Sequence, residues 1–212
     1  MAFRISLRSY SVLQNEFKDS MSRIGCQAMI LTAGQKSNAR GSLHGMTLSS
    51  TCSLSVYPKP LLQFNLHLPS YTSQNLHESK LLALHVLPPS ANAVKLGRIF
   101  ANGVKRPPQS NQLPDNEDGD LFHEKTTPFT NLETKEWNFH TIENVNIPIL
   151  QEAERVFICK KNEVFEVDKH EIWVVEVLDI LKPRAELAEG LSGGLLYHNR
   201  NFHKVGPILT ED

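Results

Sequence analysis

In the run Leu62-Gln63-Phe64-Asn65-Leu66-His67-Leu68, apolar and polar side chains alternate without a break. Successive side chains of a strand leave on opposite faces, so Leu62, Phe64, Leu66 and Leu68 form one wholly apolar face and Gln63, Asn65 and His67 the other. A helix would scatter the same residues around its circumference, so the pattern commits this segment to a sheet with one face on a core and polar groups on its reverse. The turn just upstream is crowded with hydroxyls: Thr47, Ser49, Ser50, Thr51, Ser53 and Ser55. With backbone N–H groups, such side chains can surround a phosphate without any full positive charge. A hydrogen bond to a charged acceptor contributes about 1.5–3 kcal/mol, against roughly 1 for a neutral one. Ser/Thr-rich turns also occur as solvated loops with local side chain to backbone bonds, so the turn by itself leaves both readings open.

Short apolar or alternating runs recur at 28–32, 46–54, 61–68, 81–87, 155–159, 164–167 and 172–181, each bounded by turn residues. Lys160-Lys161-Asn162-Glu163 has the length of a hairpin turn between two of them. Leu13, Phe17, Met21 and Ile24 recur at helical spacing and predict a short amphipathic helix across or beside one end of the fold. Residues 73–79 and 90–101 also read as helices; in the second, Ala93, Leu96 and Phe100 share a face and Ser90 stands at the N-cap. Many short strands with few helices predict a mainly β fold, an antiparallel barrel that closes on itself and so removes exposed edges. The strand at 172–181 carries Trp173, Val175 and Val177 on one side and Ile172, Val174, Leu178 and Ile180 on the other, a pattern of burial on both faces by core or interface. Residues 102–137, rich in Pro, Asn, Asp, Glu, Lys and Thr, predict a polar, partly disordered insertion. Its acidic cluster Asp115, Glu117, Asp118 and Asp120 lacks the spacing of a calcium loop.

With 212 residues, 40% of them hydrophobic, the chain can bury one substantial core. A net charge of −1 and the lack of any Lys/Arg stripe interleaved with aromatics argue against nucleic acid as a partner. Cys26, Cys52 and Cys159 are odd in number and far apart, and no histidines form a His-x-x-His or His-Glu-x-x-His arrangement, so no metal site is expected. No apolar run approaches the roughly 20 residues of a spanning helix, so no membrane insertion is expected either. Residues 1–11 hold Arg4 and Arg8, several serines and no acid before Glu16, the chemistry of a cleaved mitochondrial transit peptide, which gives a matrix location with one domain over 12–212.

Several of these segments carry motifs in a family-like order. Gly45-Met46-Thr47-Leu48-Ser49-Ser50, Pro58-Lys59-Pro60-Leu61-Leu62 and Pro69-Ser70-Tyr71-Thr72 follow one another, and His85-Val86-Leu87, Arg98-Ile99-Phe100-Ala101 and Leu195-Leu196-Tyr197-His198 come later. The chain resembles the flavin reductase-like, FMN-binding split-barrel family over about residues 13–203. The resemblance implies a split β-barrel with a few peripheral helices, a homodimer with the flavin at the subunit interface, and FMN, or alternatively FAD, as the flavin, with NAD(P)H as co-substrate. It assigns Met46, Thr47, Leu48, Ser49, Ser50 and Thr51 to the flavin ring and ribityl chain, Asn65 to the polar strand face beside them, and Ser70 and Thr72 to the phosphate. Tyr71 stands where many relatives carry Arg; Lys95 or Arg98 would replace that cation, and Arg98 is taken as a binding residue.

The resemblance also brings a second departure. Relatives carry Gly-Asp-His near the nicotinamide site, where this chain has Asp168-Lys169-His170. Only His170 is retained, as the candidate catalytic or orienting residue, while Lys169 would favour a phosphorylated nicotinamide cofactor. The implied activity is hydride transfer from NAD(P)H to flavin. Two other readings stay open at this point: a flavin-binding module of the same fold without reductase activity, and a flavin-free scaffold that uses residues 102–137 as a contact surface.

Overall fold

The computed structural model describes residues 10–36, 42–101, 128–184 and 194–207. Its centre is a seven-stranded antiparallel sheet built from β2 (Met29–Ala33), β3 (Gly45–Leu48), β4 (Cys52–Ser55), β5 (Leu61–His67), β6 (Leu81–Val86), β9 (Arg155–Val167) and β10 (His170–Leu181), in the order β3-β2-β6-β9-β10-β5-β4. The terminal strands of that order, β3 and β4, are consecutive in the chain, joined only by Ser49, Ser50 and Thr51. Laid flat, a sheet of this width would hold its edges about 29 Å apart. The chain from Leu48 to Cys52 reaches at most about 14 Å. The sheet therefore curls into a barrel, and the hydroxyl-rich turn is where its two edges meet.

Alternation along the strands sorts the core. Leu31, Phe64, Leu66, Leu82, Leu84, Trp173 and Val175 fill the barrel, with the Phe64 and Trp173 rings stacked at 6.2 Å. Ile30, on the other face of β2, packs with Leu87 against Ala93, Leu96 and Phe100 of α3 (Ala91–Ala101). The expected N-cap is present: Ser90 Oγ accepts the Ala93 N–H at 3.1 Å. A third apolar layer joins Ala83, Val156 and Ile158 to Val145, Ile147 and Ile149 of β8 (Val145–Leu150), which pairs with β7 (Trp137–Ile142). Within this packing His85 is fully buried, donating from Nδ1 to Ile30 O (2.9 Å) and accepting the Leu150 N–H at Nε2 (3.2 Å). Burial pulls its pKa down to about 4, against a smaller upward pull from the Ile30 carbonyl. A small sheet, β1 (Cys26–Gln27), β11 (Leu196–His198) and β12 (Asn201–His203), completes the strands.

Several expectations need correction. The strand expected at 46–54 is two strands, broken at residues 49–51 where the chain crosses between the barrel edges. Lys160-Lys161-Asn162-Glu163 is not a turn: β9 runs straight through it, and the register against β10 shifts there because Val174 pairs with Glu163 and Val175 with Lys161. The extra residue is a bulge, which polar side chains tolerate on a solvated face. The hairpin turns at Asp168-Lys169 instead, with Asp168 at φ 51°. The β7–β8 hairpin was not expected at all, and its turn residues Glu143 and Asn144 both have positive φ. The polar insertion ends earlier than expected: residues 102–127 lie outside the described residues, but Phe129, Leu132 and Trp137 are buried against α3.

Two apolar surfaces stay open. The helix α1 (Tyr10–Ser22) forms at the expected place, yet its stripe does not pack on the barrel and Phe17 is 64% exposed. Residues 1–9 of the expected leader lie outside the described residues, while Tyr10 and Ser11 begin α1. Strand β10 is enclosed on one face, at Trp173 and Val175, and only in part on the other: Val174 is buried, whereas Ile172 (36%), Leu178 and Ile180 are exposed, and Phe165 beside Ile172 is 53% exposed. Burial on both faces is thus incomplete within the single chain.

Candidate flavin-binding cleft

Thr47 faces outward from β3 towards α3, and its Oγ1 donates to Gly97 O at 2.7 Å. On the other side of Gly97 lies Phe202 of β12: a Cβ added at Gly97 would stand 2.9 Å from the ring. Glycine at this position is what lets the β11–β12 hairpin close onto α3. Three elements thus meet at one helical residue. Around that meeting point opens a cleft of about 320 Å³, bordered by Thr47, Leu48 and Ser49 on one side and by Arg98 with the β11–β12 hairpin on the other. That volume is at the lower end for small-molecule sites, room for one end of a flavin nucleotide with the remainder lying over the adjoining surface.

The candidate residues separate into distinct places. Thr47, Leu48, Ser49 and Arg98 line this cleft together. Ser49 is exposed, and its hydroxyl makes no hydrogen bond among the described residues. Ser50 is committed to the next strand: its Oγ accepts the Asn65 backbone N–H at 3.1 Å, extending the β4–β5 pairing by one step. Asn65 is exposed on the outer face of β5, as its alternation predicts. Met46 points the other way, into the barrel core, because it lies one residue from Thr47 in a strand. The Thr51 hydroxyl is shielded from solvent without a hydrogen-bond partner. An orphaned hydroxyl beside the turn is the kind of group a bound ligand satisfies.

Ser70 and Thr72 are not open to a ligand. Ser70, 4% exposed, is the N-cap of α2 (Tyr71–Ser79), its Oγ accepting the Ser73 N–H at 3.2 Å, and Thr72 is wholly buried. A carboxylate already occupies this helix start: Glu171 accepts from Ser73 Oγ, from Trp173 Nε1 (2.9 Å) and from His77 Nε2 (2.8 Å). Burial alone would raise the Glu171 pKa, and these three hydrogen bonds outweigh it and hold the group below the usual carboxylate range. Lys161 Nζ, 3.1 Å from His77 Nδ1, fixes the tautomer by donating there, so Nε2 carries the proton given to Glu171. A phosphate at α2 would meet the negative charge of Glu171. Tyr71 is exposed and stacks on His44 at 5.7 Å.

Of the two cations considered in place of the missing Arg, Lys95 sits 4.0 Å from Glu136, whereas Arg98 has no ion partner among the described residues. His170 opens β10 directly after the hairpin turn, exposed, with its ring edge-on to His67 at 4.9 Å. Burial, then His170, then Lys169 lower the His67 pKa. Asp168 occupies a left-handed position that asparagine and aspartate tolerate, and its side chain is exposed, so the turn accommodates the Gly-to-Asp departure. Sequence reasoning missed the far wall of the cleft: Tyr197, Arg200, Asn201 and Phe202. The available signals were the Leu195-Leu196-Tyr197-His198 motif and the polar Asn199-Arg200-Asn201 turn that follows it.

Comparison with known proteins bears on the fold. The chain superposes on a flavin reductase domain protein from Arthrobacter sp. FB24 with a TM-score of 0.66 at 21% identity, covering 94% of this chain and 99% of that one. It matches the NADH:FAD oxidoreductase SgcE6 of Streptomyces globisporus with a TM-score of 0.66 at 18% identity over 100% of this chain and 98% of that one. Flavin reductase HpaC, solved with NADP+, gives 0.60 at 22% identity over 91% and 97%. These likenesses establish the fold as that of the flavin reductase split barrels. A barrel sealed at its hydroxyl-rich turn, a cleft against α3 and a family model matched over residues 21–206 together place the chain in the flavin reductase like domain family.

Proposed function

We propose that the chain is an NAD(P)H:flavin oxidoreductase that binds FMN, or alternatively FAD, along the cleft and the outer face of β5. The observation that carries this reading is the joint placement of Thr47, Ser49 and Arg98 around one cleft at the barrel seam. A bound flavin supplies the hydride-accepting chemistry, so the chain's task is placement. Thr47 fixes α3 through Gly97 O, and so sets where Arg98 points. Ser50 holds the seam to β5 beside Asn65. His170 and His67, at the far end of β5, stand where the nicotinamide cofactor would be oriented, and Lys169 adds a cation for a 2′-phosphate.

The open strip of Phe165, Val167 and Ile172 next to Asn65 supports a homodimer that covers the flavin site, and light scattering of the purified chain tests it. The basic, acid-free start at 1–11 supports import into the mitochondrial matrix with removal of that segment, which N-terminal sequencing of the mature protein checks. For the activity, NADH or NADPH oxidation is followed with and without added FMN. Flavin-dependent oxidation is expected. Failure to bind any flavin in equilibrium dialysis overturns the reading, and binding without oxidation leaves the chain as a flavin-binding module.

A further inference from the structure

His67 closes β5 and His170 opens β10, and the register sets the two directly opposite each other. The next pair along, Leu68 and Lys169, is hydrogen-bonded, with the Leu68 N–H donating to Lys169 O at 2.7 Å. Antiparallel pairs alternate between bonded and non-bonded, so His67 and His170 form a non-bonded pair, the kind whose Cα atoms stand only about 4.5 Å apart. Both residues are exposed, and their ring centres lie 4.9 Å apart. Two imidazole nitrogens held about 2.1 Å from one ion, at ligand angles between a right angle and the tetrahedral value, place their ring centres about 4.5–5.2 Å apart. The observed separation falls inside that range, and rotation of the exposed rings about their Cβ–Cγ bonds turns a nitrogen of each to a common point. The backbone beneath them is fixed, because β10 is hydrogen-bonded on both sides, to β5 and to β9. Other histidines differ. His85 and His77 have both ring nitrogens engaged, and His198 and His203, 5.5 Å apart, are offset in the β11–β12 register with His203 Nε2 3.0 Å from His198 O.

We propose that His67 and His170 bind one divalent transition-metal ion of the zinc class, and that the bound ion excludes the nicotinamide cofactor from the far end of β5. The exclusion rests on the flavin reductase reading above; the metal site does not. Imidazole suits zinc, copper and nickel, whereas magnesium keeps to oxygen ligands. Two protein ligands leave the remaining positions to water, so the ion comes and goes. A ring nitrogen committed to a metal has no proton or lone pair left for a nicotinamide carboxamide.

The test is calorimetry of the full chain with zinc chloride at neutral pH, without flavin or nicotinamide. One ion per chain is expected, with a Kd of about 1–100 μM, since two ligands supply about half the binding free energy of a four-ligand structural site. His67→Ala and His170→Ala should each weaken zinc at least about tenfold, with melting temperatures in the absence of zinc matching wild type. His198→Ala should stay within about twofold, and magnesium should give no binding heat at the same concentrations. Unchanged zinc affinity in either variant of the pair, a loss in His198→Ala, or half an ion per chain overturns the site. Steady-state oxidation of NADH with saturating FMN then tests the exclusion. Zinc at ten times its Kd should raise the KM for NADH about tenfold, as competitive mass action requires, leave kcat unchanged, and be reversed by a chelator. Histidine-dependent zinc binding with an unchanged KM overturns the exclusion. Histidine-dependent zinc binding by a chain that neither binds flavin nor oxidises NADH overturns the flavin reading, and the exclusion with it, and leaves the metal site standing.

Discussion

The seam turn and the start of α2 are both rich in hydroxyls, and the fold uses them in opposite ways. At α2, Ser70 caps the helix, Ser73 donates to Glu171 and Thr72 is enclosed, so the region is sealed around a buried carboxylate. At the seam, Ser49 makes no hydrogen bond among the described residues and lines an open cleft together with Arg98. A hydroxyl-rich stretch thus announces capping and binding with equal force. What decides between them is the charge the fold brings alongside: a carboxylate closes a site to phosphate, and unpaired guanidiniums open one.

That contrast can be broken at several points. The largest effect is expected from Glu171→Ala, which strands the donors of Ser73, His77 and Trp173 and should cost about 3 kcal/mol of stability. Denaturant unfolding measures it, and FMN affinity in the still-folded fraction should hold. Acid sharpens the comparison by acting on neither region. His85 is neutral in the fold with a pKa of about 4 against 6.5 unfolded, so the unfolded chain gains a proton first as pH falls. Stability should be intact above pH 6.5 and decline by about 3 kcal/mol towards pH 4, a decline that His85→Gln flattens. Glu171 is held below its ordinary pKa by its hydrogen bonds, so its contribution is present at neutral pH and fades as pH falls through that lowered value. Next in size, Thr47→Ala combined with Ser50→Ala should weaken FMN retention at least about tenfold in equilibrium dialysis. Smallest, Ser70→Ala should cost about 1 kcal/mol as a lost N-cap and leave FMN binding untouched. A drop in FMN affinity there would return the phosphate to α2.

Strand β5 was legible because burial on one face imposes strict alternation, β2 and β6 because they are short apolar runs between turn residues, and the α3 cap because Ser90 follows two prolines. The β7–β8 hairpin escaped because Pro148 and the polar Asn138 and His140 dilute its pattern, and because Glu143-Asn144 reaches positive φ without a glycine to advertise it. The Lys160 to Glu163 run read as a turn because a bulge and a loop share the same polar composition; only pairing with β10 distinguishes them. Of the site, Thr47, Ser49 and Arg98 were readable from the motif order. Met46 was misplaced by one strand face, and the β11–β12 wall of the cleft was missed because its place depends on Phe202 docking at Gly97, just over a hundred residues earlier in sequence.

The three residues between Leu48 and Cys52 close the cylinder, and the first of them, Ser49, also borders the cleft. A nucleotide lodged there would act as a rivet through the joint, so occupancy and mechanical integrity rise and fall together. The melting temperature should climb with ligand concentration as mass action dictates, and a chain stripped of its cofactor should part first along that line, releasing β4 before the strands buried at the centre.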